Sequence, residues 1–349
     1  MRLSSLIRSA IIAVLAVMAA QAHATPSLVV DADTGEVLHA EDAGLPWFPA
    51  SVTKLMTAFV VFEQLQAGRI GMDTEVVLSR EAVRQIPTRS ELPAGSAMTM
   101  EDALYAALAG SANDVAYAVG ETVGGSRTAF VKMMNETAGR LGMTSSHFAN
   151  PNGVFDREQF LTARDLAMLA LEIRRRFPQY MHFFQVGRIV IGKETILSNN
   201  DLLTRFPGTI GMKTGFLCAS GRNFVALTER QGRTLLAVIL GATTDRERSE
   251  RAAQLLTRAF DGELRPTGTP VSAIANRADR KPVDMRQRLC SKATAAYEKQ
   301  QEAAYPMGLG GHASYLGAPG EFLSHTVTSW PTATAPAKVP VPTPRPAYP

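Results

Sequence analysis

Apolar positions along this chain follow two periods, and the switches between them divide it. Near the N-terminus the runs 28–31 and 36–39 are short and flank Asp33-Thr34-Gly35, a pattern that predicts a hairpin. After Pro49 the period becomes helical. Val52, Leu55, Met56, Phe59 and Val60 share one face of a helix that opens at Ser51 and closes at Gly68. A helix-rich middle follows. Thr99 caps a run over 100–109, Ser111 to Asn113 interrupts, and Asp114 starts another helix. Ser126 caps a run that stops at Gly142, and Thr162 caps one reaching Arg175. Strand patterns return at 188–191, 224–228 and 235–240, the last two flanking Gln231-Gly232 as an antiparallel hairpin. A closing helix is predicted over 246–260. Strands at both ends around a helical middle predict an α+β fold. Its antiparallel sheet pairs the first strands with the last, and helices pack on it.

The two ends stand apart from this body. Arg2 and Arg8 precede a short apolar stretch, and Ala22-His23-Ala24 has the form of a cleavage site. Residues 1–24 therefore read as a signal peptide, with the mature chain starting at Thr25; an uncleaved anchor is the alternative. No later stretch reaches the ~18 consecutive apolar residues of a membrane span. Composition shifts near Gly262, which bounds a catalytic domain over 25–262. Apolar periodicity is weak over 266–282, and 283–304 predicts one more helix, so 263–304 reads as a linker and helical extension. The rest, 305–349, is rich in Gly and Pro, with seven prolines between Pro331 and Pro349, and is expected to be disordered.

Charge narrows the function. Formal charge is +4, and loss of Arg2 and Arg8 with the leader leaves +2. That balance, without aromatics interleaved among basic residues, excludes a nucleic-acid binder. The six histidines are scattered and there is no CxxC, so neither a metal site nor a cofactor is expected. Cys218 and Cys290 are the only cysteines. In an exported chain they are expected to form a disulfide, two separate buried thiols being the alternative.

Three strings in fixed order carry candidate chemistry: Ser51-Val-Thr-Lys54, Ser111-Ala-Asn113 and Lys213-Thr214-Gly215. A serine hydroxyl needs a base to become a nucleophile. Helix positions i and i+3 share a face, so Lys54 sits beside Ser51. Lysine acts as a base only when neutral, which burial and a second cation, Lys213, would favour. Ser111 can relay a proton to a leaving amine, and Asn113 can hold Lys54 or a substrate amide. On a strand Lys213 and Gly215 face one side, and Gly215 admits close backbone approach. The backbone N–H groups of Ser51 and Phe216 are the candidate oxyanion donors. Each string alone occurs by chance; their order and placement carry the information.

The pairing of Ser51-x-x-Lys54 with Lys213-Thr-Gly215 resembles the motifs of penicillin-binding proteins and serine β-lactamases. Over about 27–260 the chain resembles the low-molecular-mass D-alanyl-D-alanine carboxypeptidases. Further matches are Pro49-Ala-Ser-Val-Thr-Lys-Leu-Met56, Asn150-Pro-Asn-Gly153, Thr162-Ala-Arg-Asp-Leu-Ala167, and Phe216 followed by Gly221 and Asn223. The resemblance implies a β-lactamase/transpeptidase-like fold with the active site between sheet and helices. It implies release of the terminal D-Ala of peptidoglycan stem peptides in the bacterial periplasm or envelope, and acylation by β-lactam antibiotics. It also implies an arginine that joins Lys213 and Thr214 in holding the substrate carboxylate, Arg248 or else Arg246. A D,D-endopeptidase acting on cross-links and a serine β-lactamase are the nearest rivals, the latter through Glu158-Gln-Phe-Leu161. A non-catalytic wall-binding module is the rival from another class. Many relatives carry a β-rich second domain and a C-terminal amphipathic membrane helix; the last ~85 residues here show neither pattern, which leaves membrane association open.

Overall fold

A computed structural model describes residues 25–86 and 90–332. Residues 1–24, expected to be a signal peptide, lie outside the described residues. The fold is α+β, as its periodicity predicts. Five strands form the main sheet, in the order Val37–Glu41, Ser27–Asp31, Arg233–Ala242, Gly221–Arg230, Thr209–Leu217, every pair antiparallel. The N-terminal hairpin thus pairs with the last strand, Leu28 opposite Val238. The turn between the two longest strands is fixed by positive φ at Gln231 (51°) and Gly232 (74°), the form that matches strand twist.

The sheet is buried on both faces. Val30, Val225, Leu236 and Val238 face the helical side, where they join Leu55, Phe59 and Phe62 of the helix Lys54–Gln66 in one core. Phe224, Ala237 and Ile239 face the other way, against Ala252, Leu255 and Leu256 of Asp245–Phe260. Three predicted caps form: Thr99, Ser126 and Thr162 accept from Asp102, Ala129 and Asp165, the third residues of the helices Met100–Leu108, Arg127–Arg140 and Ala163–Arg176.

Two expectations for the C-terminal part are corrected. The single helix over 283–304 is two, Arg286–Leu289 and Thr294–Ala304. Cys290 between them is held by a disulfide to Cys218. Ser291 then turns the chain, its N–H donating to Thr294 Oγ1 and its Oγ accepting from Ala293 N–H, bonds that compete with helix continuation. The tail is likewise ordered through Thr332. Tyr315 N–H donates to Glu250, and Gly317 and Gly320 N–H donate to Arg205 and Thr204 carbonyls. Ser324–Val327 adds a parallel strand to Arg188–Ile191, and Ser329–Pro331 pairs with Ser96–Thr99. His325 Nε2 lies 2.6 Å from Asp102 Oδ1 with its ring stacked on Tyr105. Open strand edges and buried Leu316, Val327 and Trp330 hold what composition alone reads as disorder. Residues 333–349 lie outside the described residues. Among the described residues no helix is long and apolar enough to cross a membrane.

Candidate active site

The segment before Ser51 is tied by three hydrogen bonds to the strand Gly221–Arg230 and the turn that precedes it. Asn223, fully buried on the strand Gly221–Arg230, donates Nδ2 to the carbonyls of Phe48 and Pro49, both at 2.9 Å, and accepts from Gly241 N–H. Trp47 Nε1 donates to Ser220 O at 2.8 Å. Ala50 then takes the left-handed region at φ 52°, a costly conformation for a residue with a Cβ. A 3-10 turn, Ala50–Thr53, carries Ser51 into the α-helix that starts at Lys54. The helix predicted to open at Ser51 is thus tighter over its first turn, and the i,i+3 relation survives.

Two glycines make the packing around Ser51 possible. A Cβ on Gly215 would lie 2.8 Å from Ser51 N, and one on Gly153 (φ 85°) would fall 2.0 Å from Ala50 O. The edge strand and the loop carrying Asn152 therefore close on the nucleophile turn from two directions.

Lys54 is completely buried. Its Nζ lies 3.0 Å from Ser51 Oγ, 2.7 Å from Asn113 Oδ1 and 2.7 Å from the Asn152 carbonyl oxygen. Of the two uses foreseen for Asn113, the structure shows the first. Both Asn113 Oδ1 and the Asn152 carbonyl can only accept, so a neutral amine donating to them keeps its lone pair for the Ser51 hydroxyl proton. Burial pulls the Lys54 pKa well below the ordinary lysine value. The Lys213 charge adds to that pull, and Asp114 opposes it. Asp114 is itself fixed by Ser90, through two contacts from its N–H and one from its hydroxyl.

Ser111 stands at φ 57° in the break before the helix Asn113–Gly124. Lys213 Nζ donates to its Oγ at 2.9 Å. Burial and the Arg248 charge bring the Lys213 pKa down to about 7. The strings thus converge as a chain of contacts from Ser51 through Lys54 to Asn113, with Ser111 and Lys213 beside it.

Thr209–Leu217 is an edge strand, and the pocket wraps around its open side. A cavity of about 210 Å3 runs from Ser51 and Ser111 past Thr214, Gly215 and Phe216 to Arg222 and Arg248. Leu217 N–H donates to Ser220 Oγ on the paired side, so strand alternation turns Phe216 N–H to the open edge. Arg248, fully buried, donates to Asp245 Oδ1 at 2.7 Å and to Asn199 O, while its Nε–H has no partner among the described residues. Arg246 points elsewhere, donating to the carbonyls of Tyr305 and Met307. Of the two arginines, Arg248 lines the cavity and Arg246 does not. Glu158 is exposed and does not line this cavity.

Sequence reasoning missed several members of the site. Asn152 contributes a backbone carbonyl, and Asn223 acts through the segment before Ser51; both were visible only as parts of the resembling strings. Arg222 and Asp245 had no signal beyond their charge. A larger polar cleft of about 520 Å3, lined by Glu63, Arg69, Arg140 and Arg176, lies away from these groups and holds none of them.

The sequence profile of the D-alanyl-D-alanine carboxypeptidase family (Peptidase_S11) matches residues 13–244. The chain is similar to D-alanyl-D-alanine carboxypeptidase DacF of Bacillus subtilis, with 30% identity over 242 residues, 68% of this chain and 62% of that one. It spans 62% or 63% of the length of the first curated relatives it matches. Among solved structures it is similar to penicillin binding protein 6B of Escherichia coli, with TM-score 0.65 and 30% identity over 68% of this chain and 77% of that one. It is also similar to Penicillin-Binding Protein D2 of Listeria monocytogenes in an ampicillin-bound form, with TM-score 0.58 and 28% identity over 67% of this chain and 96% of that one.

Proposed function

The chain belongs to the D-alanyl-D-alanine carboxypeptidase family, and on that premise we propose that it removes the terminal D-alanine from peptidoglycan stem pentapeptides through an acyl-enzyme on Ser51. The buried Lys54 amine carries this reading: two fixed acceptors leave it one lone pair, 3.0 Å from the Ser51 oxygen. Ser51 Oγ attacks the carbonyl carbon of the penultimate D-alanine as Lys54 takes the hydroxyl proton. The tetrahedral oxyanion is held by the N–H groups of Ser51 and Phe216. A proton from Lys213 passes through Ser111 to the leaving amine, the C–N bond breaks, and D-alanine departs. The Lys54 ammonium gives its proton to the now neutral Lys213; water then attacks the ester carbonyl with Lys54 as base, and Lys54 passes that proton to Ser51 Oγ as the ester bond breaks, releasing the tetrapeptide and restoring both lysines and Ser51.

Thr214 and Arg248 receive the terminal carboxylate, with Gly215 letting the peptide lie against the strand edge. A β-lactam presents a reactive amide and a carboxylate in the same sense, and the ampicillin-bound form of the Listeria protein supports β-lactams as acylating inhibitors here. The 1–24 leader supports export to the periplasm or envelope. The test is product analysis on a defined pentapeptide by mass spectrometry. One D-alanine and one tetrapeptide per turnover are expected, and an unprocessed pentapeptide beside an active-site titre of penicillin-labelled enzyme would contradict the assignment.

A further inference from the structure

The proposed reaction places the leaving residue between two fixed points. Its amine is at Ser51, and its carboxylate is at Arg248 and Thr214. The pocket between them is about 210 Å3, smaller than the ~300–1,000 Å3 clefts that take drug-sized ligands. Its outer wall is built from two side chains the reaction does not use, those of Phe216 and Arg222. Arg222 stands directly opposite Phe216 across the strand pair, so the two side chains share one face of the sheet. The Arg222 guanidinium lies 4.6 Å from the centre of the Phe216 ring. It is anchored beyond the ring, Nε 3.0 Å from Asp245 Oδ2 and Nη1 on the Thr243 carbonyl. Asp245 in turn uses its other oxygen for Arg248. One carboxylate thus fixes both the carboxylate-reading arginine and the wall beside it.

Resting on the D,D-peptidase reading, we propose that the Phe216–Arg222 stack, fixed by Asp245, limits the leaving residue to a small D-amino acid and so discriminates against peptidoglycan cross-links. The two substrates share the acyl half and differ in what departs. A pentapeptide releases D-alanine, whose side chain is a methyl group. A cross-link releases the side-chain amine of a neighbouring stem's diamino acid, with a long aliphatic chain and a second peptide behind it. That chain needs an exit from the pocket, and the stacked pair stands in it. Thr214 and Arg248 recognise a carboxylate next to the departing amine, and size beyond that point is read by Phe216 and Arg222. Phe216 is 46% exposed and Arg222 24%, so this wall is the lip of the pocket and its removal opens the site to solvent rather than leaving a core cavity.

The test compares purified wild type, Arg222→Ala and Phe216→Ala on a soluble pentapeptide muropeptide and on a cross-linked muropeptide dimer. Rates are read as kcat/KM by liquid chromatography, with benzylpenicillin titration counting active sites. Wild type is expected to prefer the pentapeptide by at least a hundredfold, and each variant to raise the dimer-to-pentapeptide ratio at least tenfold. Phe216→Ala keeps the backbone N–H and removes an exposed ring, so it reads the same wall without the charge change. Ratios within threefold of wild type in penicillin-reactive variants overturn the wall alone. Equal wild-type rates on both substrates also overturn it. A wild type that neither binds penicillin nor cleaves either substrate overturns the catalytic reading and the wall with it.

Discussion

Removing the Cys218–Cys290 disulfide should lower stability without dismantling the site. The bond spans 72 residues, and on the chain-entropy account a loop of that length restricts the unfolded chain by about 4 kcal/mol. With unfolding entropy near 2.1 cal/mol/K per residue, about 300 ordered residues give a loss of roughly 7 °C in Tm. The segment has other anchors. Met285 is fully buried and its N–H donates to Ala219 O at 2.9 Å, while the Arg286 guanidinium lies 4.7 Å from the Phe155 ring centre. The Cys218→Ala/Cys290→Ala double variant should therefore fold, unfold about 7 °C lower by circular dichroism, and still react with benzylpenicillin at 25 °C. A Tm within 2 °C of the oxidised wild type would refute the loop-constraint reasoning. A full loss of penicillin reaction in a folded variant would show that the non-covalent anchors do not hold the hairpin end.

Three further predictions concern the site. Lys54 must be neutral to act as base, so benzylpenicillin acylation should fall with decreasing pH through an ionisation well below the ~10.4 of a free lysine, because burial first and the Lys213 charge second disfavour its ammonium form. Removing a nearby cation eases protonation of Lys54, so residual acylation in Lys213→Gln should show that limb moved to higher pH; a limb that stays or moves to lower pH contradicts the coupling. Arg248→Ala should cost a free-carboxylate peptide about ten- to a hundredfold in kcat/KM, from a charge-assisted bond worth roughly 1.5–3 kcal/mol. The C-terminally amidated peptide should lose much less, and equal losses would remove Arg248 from carboxylate recognition.

What the sequence makes legible is local. Ser51 and Lys54 meet because one helical turn separates them. Thr99, Ser126 and Thr162 cap helices through the third residue on, and Gln231-Gly232 encodes its own turn. What it hides is set by distance along the chain or by backbone atoms. The third partner of Lys54 is a carbonyl 98 residues away, which no side-chain pattern marks. Asn223 reads as an ordinary strand residue until the fold brings Phe48 and Pro49 to its amide. The strand Ser324–Val327 joins an existing edge through backbone bonds, so its Gly/Pro-rich surroundings dominate the sequence pattern. Cys290, at the break between two helices, finds its disulfide partner 72 positions earlier.

The most direct test of the account is the site of covalent attachment. Purified protein treated with benzylpenicillin should gain one penicilloyl mass, and peptide mapping should place it on Ser51. Ser51→Ala, with an unchanged melting curve, should gain none. An adduct on any other residue, or labelling that persists in Ser51→Ala, would contradict the assignment of Ser51 as nucleophile and Lys54 as its base.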